Sequence, residues 1–163
     1  MSQETPKLRV SQSVEADRHP SCRLAKLAHE ESLFSDIAFS EDKYFQAFEN
    51  TLKEPTKYLG IKVMLGDQML GYCYALLGDY YIGEGAKVVT VISVFTDPSV
   101  RGKMLGGRVA LRLIRGVETW AKGMGAAHVL YHVTSGVNPA GSDRLFRKLG
   151  FTTLGGNYSK AVT

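Results

Sequence analysis

The sequence has little cysteine and no long run of apolar residues. Its 163 residues include two cysteines, Cys22 and Cys73, which form no C-x-x-C pair and have no histidine at zinc-site spacing. We therefore expect two buried, reduced thiols and no bound metal. No window approaches the roughly 18 consecutive apolar residues that a membrane-spanning helix requires. Residues 1–10 lack the apolar segment of a secretory signal, so we expect a cytoplasmic protein with no membrane partner.

Internal repeats, low-complexity tracts and Pro/Gly-rich linkers are also missing. With 44% hydrophobic residues, the chain has enough apolar material to bury one core, and we expect a single domain over residues 1–163. The formal charge of +4 is a mild excess that fits a nucleic-acid partner, an anionic cofactor or neither. Composition therefore bounds the fold more closely than the function.

Acidic residues are absent between Asp97 and Glu118, a stretch that holds five basic residues: Arg101, Lys103, Arg108, Arg112 and Arg115. The last three repeat at i, i+4 and i+7, which places them on one polar face of a predicted helix. This face has three interpretations: a solvated surface, a contact for a cofactor phosphate or an acidic partner, or a nucleic-acid footprint. Aromatic residues are not interleaved with the cations, which disfavours stacking on single-stranded nucleic acid.

Hydrophobic periodicity predicts an alternation of strands and helices. We expect strands over residues 8–14, 58–65, 69–77, 88–96 and 127–134, one or two more within 151–162, and helices over 20–32, 41–54, 104–123 and 142–149. Ser40 is the expected N-cap of the second helix, and Gly66-Asp67 suits a two-residue hairpin turn. The third helix forms a crossover, so the strands that it joins should be parallel neighbours. The predicted fold is α/β (α+β), with a mixed, mostly antiparallel sheet of six or seven strands and helices on both faces.

The candidate chemistry lies between Val94 and Gly107, where a predicted buried strand ends and the long helix begins. Amides at a helix N-terminus have no intrahelical acceptor, and the helix dipole favours an anion there. Glycines at 102, 106 and 107 allow the backbone to approach a phosphate closely. The segment matches neither a Walker loop nor a dinucleotide-binding G-x-G-x-x-G motif. The alternative is a tight turn whose glycines serve packing alone.

At this point the sequence resembles the GNAT superfamily of acyl-CoA-dependent N-acyltransferases. Its first motif, Arg/Gln-x-x-Gly-x-Gly/Ala at the start of a long helix, is matched by residues 101–106, except that Met104 occupies the first glycine position. Its second motif is matched by Asn138 and by residues 146–151, which read FRKLGF. Both motifs occur in the family's order and spacing, and the resemblance implies a sheet with a splayed central parallel pair.

The resemblance also implies how acetyl-CoA would bind. The pyrophosphate would lie on the turn at Arg101 and on five backbone amides, those of Gly102, Lys103, Met104, Gly106 and Gly107. The pantetheine arm would pair with the strand end that contains Phe95 and Thr96, in the gap of the splayed pair. Asn138 would contact this arm, and Phe146 would pack beside it.

Acetyl transfer to an amine requires a route for two protons, because an alkyl ammonium with a pKa near 10.4 is almost wholly protonated at neutral pH. The candidate bases are Glu30, Glu31, Asp36 and His132. Many members of the family carry a tyrosine as general acid where this chain has Phe146, which has no proton to donate. The candidate replacements are Tyr158, Tyr131 and water.

Three functions follow from these observations. The first is N-acetyl transfer from acetyl-CoA to a primary amine, either a small molecule or a protein, with a homodimer as the expected assembly. The second, suggested by Met104 and Phe146, is a non-catalytic GNAT-like module that binds coenzyme A or a protein partner. The third is a basic-helix nucleic-acid binder. No motif identifies the amine acceptor.

Overall fold

One five-stranded sheet organises the computed structural model, which describes residues 7–132 and 135–162. The strands lie in chain order: β1 (Leu8–Gln12), β2 (Tyr58–Leu65), β3 (Gln68–Asp79), β4 (Lys87–Thr96) and β5 (His128–Tyr131). The helices are α1 (Arg18–Glu31), α2 (Glu41–Lys53), α3 (Met104–Gly123) and α4 (Pro139–Lys148), with a 3-10 turn at Glu15–Asp17. Neighbouring strands are antiparallel from β1 to β4, whereas β4 and β5 are parallel. The predicted crossover through α3 is thus confirmed.

Local sequence signals account for several boundaries. The Ser40 hydroxyl accepts a 3.3 Å hydrogen bond from the Lys43 amide, so it caps α2 as predicted. Leu65 pairs with Gln68, which leaves Gly66-Asp67 as the hairpin turn, and Gly66 has φ +59°, a conformation that glycine adopts without strain.

The two faces of the sheet carry different helices. On one face, the apolar stripe of α3, including Val109, Leu113 and Val117, packs on inward side chains of β2, β3 and β4. On the other face, Leu24 of α1 and Phe48 of α2 pack with residues of β3. Helices therefore cover both faces, as the alternation of elements predicted.

The predicted number of strands is wrong for the described part of the chain, which has five rather than six or seven. Residues 151–162 contain no strand and are exposed, apart from a half-buried Phe151. Gly155-Gly156 interrupts this segment, and glycine disfavours a strand because it loses the most conformational entropy and offers no side chain to pack. The strand predicted over 127–134 is observed over His128–Tyr131. Positions 133 and 134 of the prediction lie outside the described residues.

Both cysteines are buried and unbonded, as predicted. Among the residues that the structure describes, no helix is long and apolar enough to cross a membrane. No group of three or more His, Cys, Asp or Glu side chains within the same ranges could hold a metal ion.

Close packing of α3 on the sheet depends on Gly71 in β3. A Cβ atom there would lie 2.6 Å from Val109 Cγ1 and 3.0 Å from Leu113 Cδ1. We expect Gly71→Ala to lower the free energy of unfolding by about 1–3 kcal/mol, because α3 must shift to admit the methyl group. Gly78→Ala on the same strand is the matched control, since its nearest neighbour would be 3.9 Å away. Urea denaturation that finds equal stability for the two variants would contradict this account.

Candidate active site

The parallel strands separate at one end of the sheet. The last paired residues of β4 and β5 are Val91 and Tyr131, but β4 continues to Thr96. We call residues 92–96 the β4 tail. Its first residue, Ile92, is an extra residue in the ladder, because Ser93 pairs with Tyr74 and Val91 with Ala75. Ile92 is 48% exposed and Val94 38%, so the tail presents apolar side chains. Within residues 7–132 and 135–162 the tail has no partner on its β5 side, which leaves an open strand edge before the start of α3.

The turn that follows the tail is held by the buried carboxylate of Asp97. It accepts a 2.9 Å hydrogen bond from the Ser99 amide and forms a 3.0 Å ion pair with Arg23 of α1. The Asp97 amide in turn donates to the Leu70 carbonyl of β3 at 2.8 Å. Burial by itself raises the pKa of Asp97, but the hydrogen bonds from Ser99 and Arg23 outweigh it and hold this pKa below the ordinary value.

Glycines shape the backbone where α3 begins. Gly102 has φ +77°, and a Cβ atom at Gly106 would collide with the Val100 carbonyl, so both positions require glycine. A Cβ atom at Gly102 or Gly107 would meet nothing within 4 Å. The backbone is therefore tightly packed on its inner side and open on its outer side.

Backbone donors are left free at this helix start. Lys103 provides no side-chain cap, and the first bond of the helix runs from the Gly107 amide to the Lys103 carbonyl at 3.3 Å. The Lys103 amide donates to the Val100 carbonyl at 3.2 Å. The amides of Met104, Leu105 and Gly106 consequently have no carbonyl four residues back inside the helix. The Met104 side chain is 85% exposed and does not fill the space in front of these amides.

Arg101 links this turn to the end of α1. Its guanidinium forms a 2.7 Å ion pair with Glu31, donates to the Thr96 carbonyl at 3.0 Å and lies 4.9 Å from the centre of the Phe95 ring. Glu31, a predicted base, is thus paired with the Arg101 guanidinium. This ion pair connects α1 to the candidate cofactor site.

The second motif lies around α4. Asn138 has a left-handed backbone conformation, and its side chain accepts a 3.1 Å hydrogen bond from the Gly141 amide, which makes it the N-cap of α4. Phe146 contacts Tyr131 and Phe151, with ring-centre distances of 4.7 and 5.3 Å. Tyr131 closes the paired part of β5, so this aromatic cluster lies where the parallel strands separate.

The candidate catalytic residues do not converge. Tyr158 is 95% exposed in the segment that follows α4, and His132 is exposed immediately after β5. Glu30 and Asp36 are exposed at the end of α1 and in the loop beyond it. The Tyr131 hydroxyl, in contrast, is buried and has no hydrogen-bond partner among the residues that the structure describes, and burial raises the pKa of Tyr131 well above its ordinary value.

Sequence reasoning missed the two ion pairs that fasten α1 to the turn. Arg23 lies on a helix with other charged residues, so nothing in its local pattern marks it as the partner of Asp97. The Asp97-Pro98-Ser99 sequence does carry a signal, because aspartate commonly accepts a hydrogen bond from the amide two residues on. That signal predicts the turn but not its ionic partner.

The mixed sheet with a parallel β4–β5 pair and helices on both faces agrees with the fold that the resemblance to GNAT acyltransferases implied, but this pair lies at the edge of the described five-stranded sheet and not at its centre, as was expected. The sequence matches the acetyltransferase (GNAT) family over residues 23–151, and the chain therefore belongs to this family. A comparison with curated proteins gives no match.

Solved structures share the fold at low sequence identity. A transcriptional regulator from Bacillus halodurans C-125 has a TM-score of 0.74 and 16% identity, with 96% of this chain and 100% of that chain covered. AAC(6')-Iy in complex with a CoA-containing bisubstrate analogue has a TM-score of 0.72 and 16% identity, with 96% and 99% covered. Glucosamine-6-phosphate N-acetyltransferase from Arabidopsis thaliana has a TM-score of 0.69 and 13% identity, again with 96% and 99% covered.

Replacing Asp97 tests whether its carboxylate holds the turn. We expect Asp97→Asn to lower the free energy of unfolding by about 1–3 kcal/mol at neutral pH, because the charged hydrogen bonds are lost. A lowered folded-state pKa stabilises the fold above the unfolded pKa, and this stability is lost as pH falls through the folded value. The difference in free energy of unfolding between wild type and variant should therefore disappear below about pH 4. Asp67→Asn, in the exposed hairpin turn, is the control, and a gap independent of pH would contradict the assignment.

Proposed function

We propose that the protein is an N-acetyltransferase that transfers an acetyl group from acetyl-CoA to a primary amine. One observation carries the proposal: free amides at the start of α3 adjoin an unpaired strand edge, the β4 tail. The first feature suits a diphosphate and the second an extended amide-containing chain. Coenzyme A contains both groups in succession.

The helix start fits a diphosphate on three grounds. The amides of Met104, Leu105 and Gly106 supply donors, and the helix dipole adds partial positive charge. The outer sides of Gly102 and Gly107 are open, so phosphate oxygens can approach the backbone. Met104, the departure from the family motif, directs its side chain into solvent and leaves the donors accessible.

The β4 tail and its neighbours would hold the rest of the cofactor. Val91 is the last residue with a β5 partner, so the backbone from Ile92 to Thr96 has an edge available for an extended ligand. Phe146 contacts Tyr131 at the end of β5, so it would border the same arm. The family's second motif supports a contact of Asn138 with this arm as well.

When bound, acetyl-CoA supplies an acetyl group activated as a thioester. The protein must deprotonate the incoming ammonium and stabilise the charge that develops on oxygen and sulfur. Glu31 is engaged by Arg101, so His132, Glu30 and Asp36 remain as candidate bases. All three are exposed, which allows proton transfer through water.

Tyr131 is the proton donor that we assign to the leaving thiolate. Its hydroxyl is buried without a partner, lies where the strands separate and stays protonated because burial raises the pKa of Tyr131. Its ring contacts Phe146, which occupies the position of the family's usual tyrosine. In this proposal, the hydroxyl of Tyr131 on β5 replaces the tyrosine hydroxyl that α4 lacks at Phe146.

Binding is tested at Gly107. We expect acetyl-CoA to raise the melting temperature of the wild type, and Gly107→Asp to weaken its binding about tenfold or more, because a carboxylate beside the helix start repels the diphosphate. Gly107→Asn has nearly the same shape without the charge and should retain more affinity. The aspartate variant should be no less stable without ligand, since an acid in the first turns of a helix is favourable. Absence of any thermal shift with acetyl-CoA would refute both the enzyme and the non-catalytic coenzyme A module.

Turnover is tested by thiol release across a panel of amines. Aminoglycosides and glucosamine 6-phosphate belong in the panel because structurally similar proteins are named for acetylating them. We expect Tyr131→Phe to lower kcat by about 10- to 100-fold with little change in acetyl-CoA affinity. Its melting temperature should not fall, because the change removes a buried hydroxyl without a partner. Acetyl-CoA binding with no thiol release from any amine would favour the non-catalytic module, and unchanged kcat in the variant would exclude Tyr131.

A further inference from the structure

A groove lies between strand β1 and the flank of helix α3 that faces away from β5. Its volume is about 570 Å³, and its floor includes Val10, Ile61, Leu111 and Trp120. Arg108, Arg112 and Arg115 also line it, at successive turns of α3. We call this feature the arginine groove. It lies on the β1 side of the sheet, at the opposite edge from the parallel pair.

The charge of the arginine groove is uncompensated. Its three arginines are exposed and form no ion pair within residues 7–132 and 135–162. Among the residues that the structure describes, no acidic side chain lines the groove. Glu118, three residues after Arg115, is not among the lining residues and forms no ion pair within the same ranges. Clustered cations without counterions on the protein favour an anionic occupant.

One wall of the groove is the open edge of the sheet. Strand β1 pairs only with β2 among the described strands. The Ser13 amide donates to the Gly60 carbonyl of β2 at 2.9 Å, so the alternation of a strand directs the amides of Val10 and Gln12 away from β2. Both residues line the groove. Unpaired main-chain donors and acceptors along an apolar floor favour an extended peptide.

We propose that the arginine groove binds an acidic peptide segment of a partner protein, which adds as a strand to β1 and directs its carboxylates to Arg108, Arg112 and Arg115. The spacing supports this occupant. Along the α3 axis, Arg108 and Arg112 are separated by about 6.0 Å and Arg112 and Arg115 by about 4.5 Å, whereas alternate residues of a strand are separated by about 6.6 Å. The long arginine side chains can take up these differences of about 1–2 Å per step, so every second residue of the peptide can meet an arginine while the residues between them pack on the floor.

Two other occupants fit less well. The chain's own exposed segment, residues 152–162, contains Lys160 and no acid, so a second copy cannot offer this segment's carboxylates to the groove. Nucleic acid would satisfy the arginines through its phosphates, but it would leave the apolar floor and the strand edge without a matching surface.

The test uses the full chain and a short fluorescein-labelled peptide in which glutamate alternates with valine. We expect saturable binding by fluorescence anisotropy, weakened by added salt, and no binding of the matching lysine–valine peptide. In amide-resolved hydrogen exchange, Val10 and Gln12 should become protected when the glutamate peptide binds. The double variant Arg112→Glu/Arg115→Glu should bind about tenfold more weakly or worse, whereas Lys122→Glu on the same helix should change affinity by no more than about twofold.

Acetyl-CoA binding to the double variant separates this proposal from the proposed enzyme function. The two substituted residues, Arg112 and Arg115, lie at least six residues beyond the free amides, about 9 Å or more along the helix axis, so the thermal shift with acetyl-CoA should match that of the wild type. Failure of the glutamate peptide to bind, equal binding by the double variant, or unprotected Val10 and Gln12 amides would each overturn the proposal. Binding of duplex DNA or anionic vesicles through the same arginines, without binding of the peptide, would also overturn it.

Discussion

The buried carboxylate of Asp97 is the constraint on which the candidate active site depends. It ends β4 by holding the Ser99 amide, and it draws Arg23 of α1 onto the same turn. Because the Asp97 amide is also bonded to β3, the direction in which the chain leaves the sheet is fixed. Helix α3 then begins against the Val100 backbone, an approach that only glycine at position 106 permits. Together these contacts determine the position of the free amides at the start of α3.

The site also depends on a difference in length between two strands. Strand β5 is paired with β4 over four residues, whereas β4 continues through the tail. The separation of the two strands places an open main-chain edge next to the start of α3. The Arg101–Glu31 ion pair links the turn between them to α1. A single short region thus combines backbone donors, an extended edge and an ionic connection to α1.

Features encoded by neighbouring residues were predictable, and features that need a distant partner were not. The Ser40 cap, the Gly66-Asp67 turn and the extent of α3 each follow from local sequence, and the structure agrees with all three. The glycines around position 102 likewise marked the helix start, because they act through their own backbone. The prediction of closing strands within 151–162 is wrong for the described residues, since a strand requires a partner elsewhere in the chain and Gly155-Gly156 weakens this segment. Arg23 and Glu31 acquire their roles only through residues more than 65 positions away in the chain.

The extra residue at Ile92 determines which face of the sheet each tail residue occupies. Val91 faces α3 and is paired with Ala75, whereas Phe95 is paired with Tyr72 and lies on the side of α1 and α2. A strand without the insertion would keep residues an even number apart on one face. If residues 91–95 instead formed a regular strand with Ile92 included in the ladder, Phe95 would lie four positions from Val91 and its ring would face α3, away from the Arg101 guanidinium. The bulge at Ile92 therefore places the Phe95 ring where the Arg101 guanidinium lies over it.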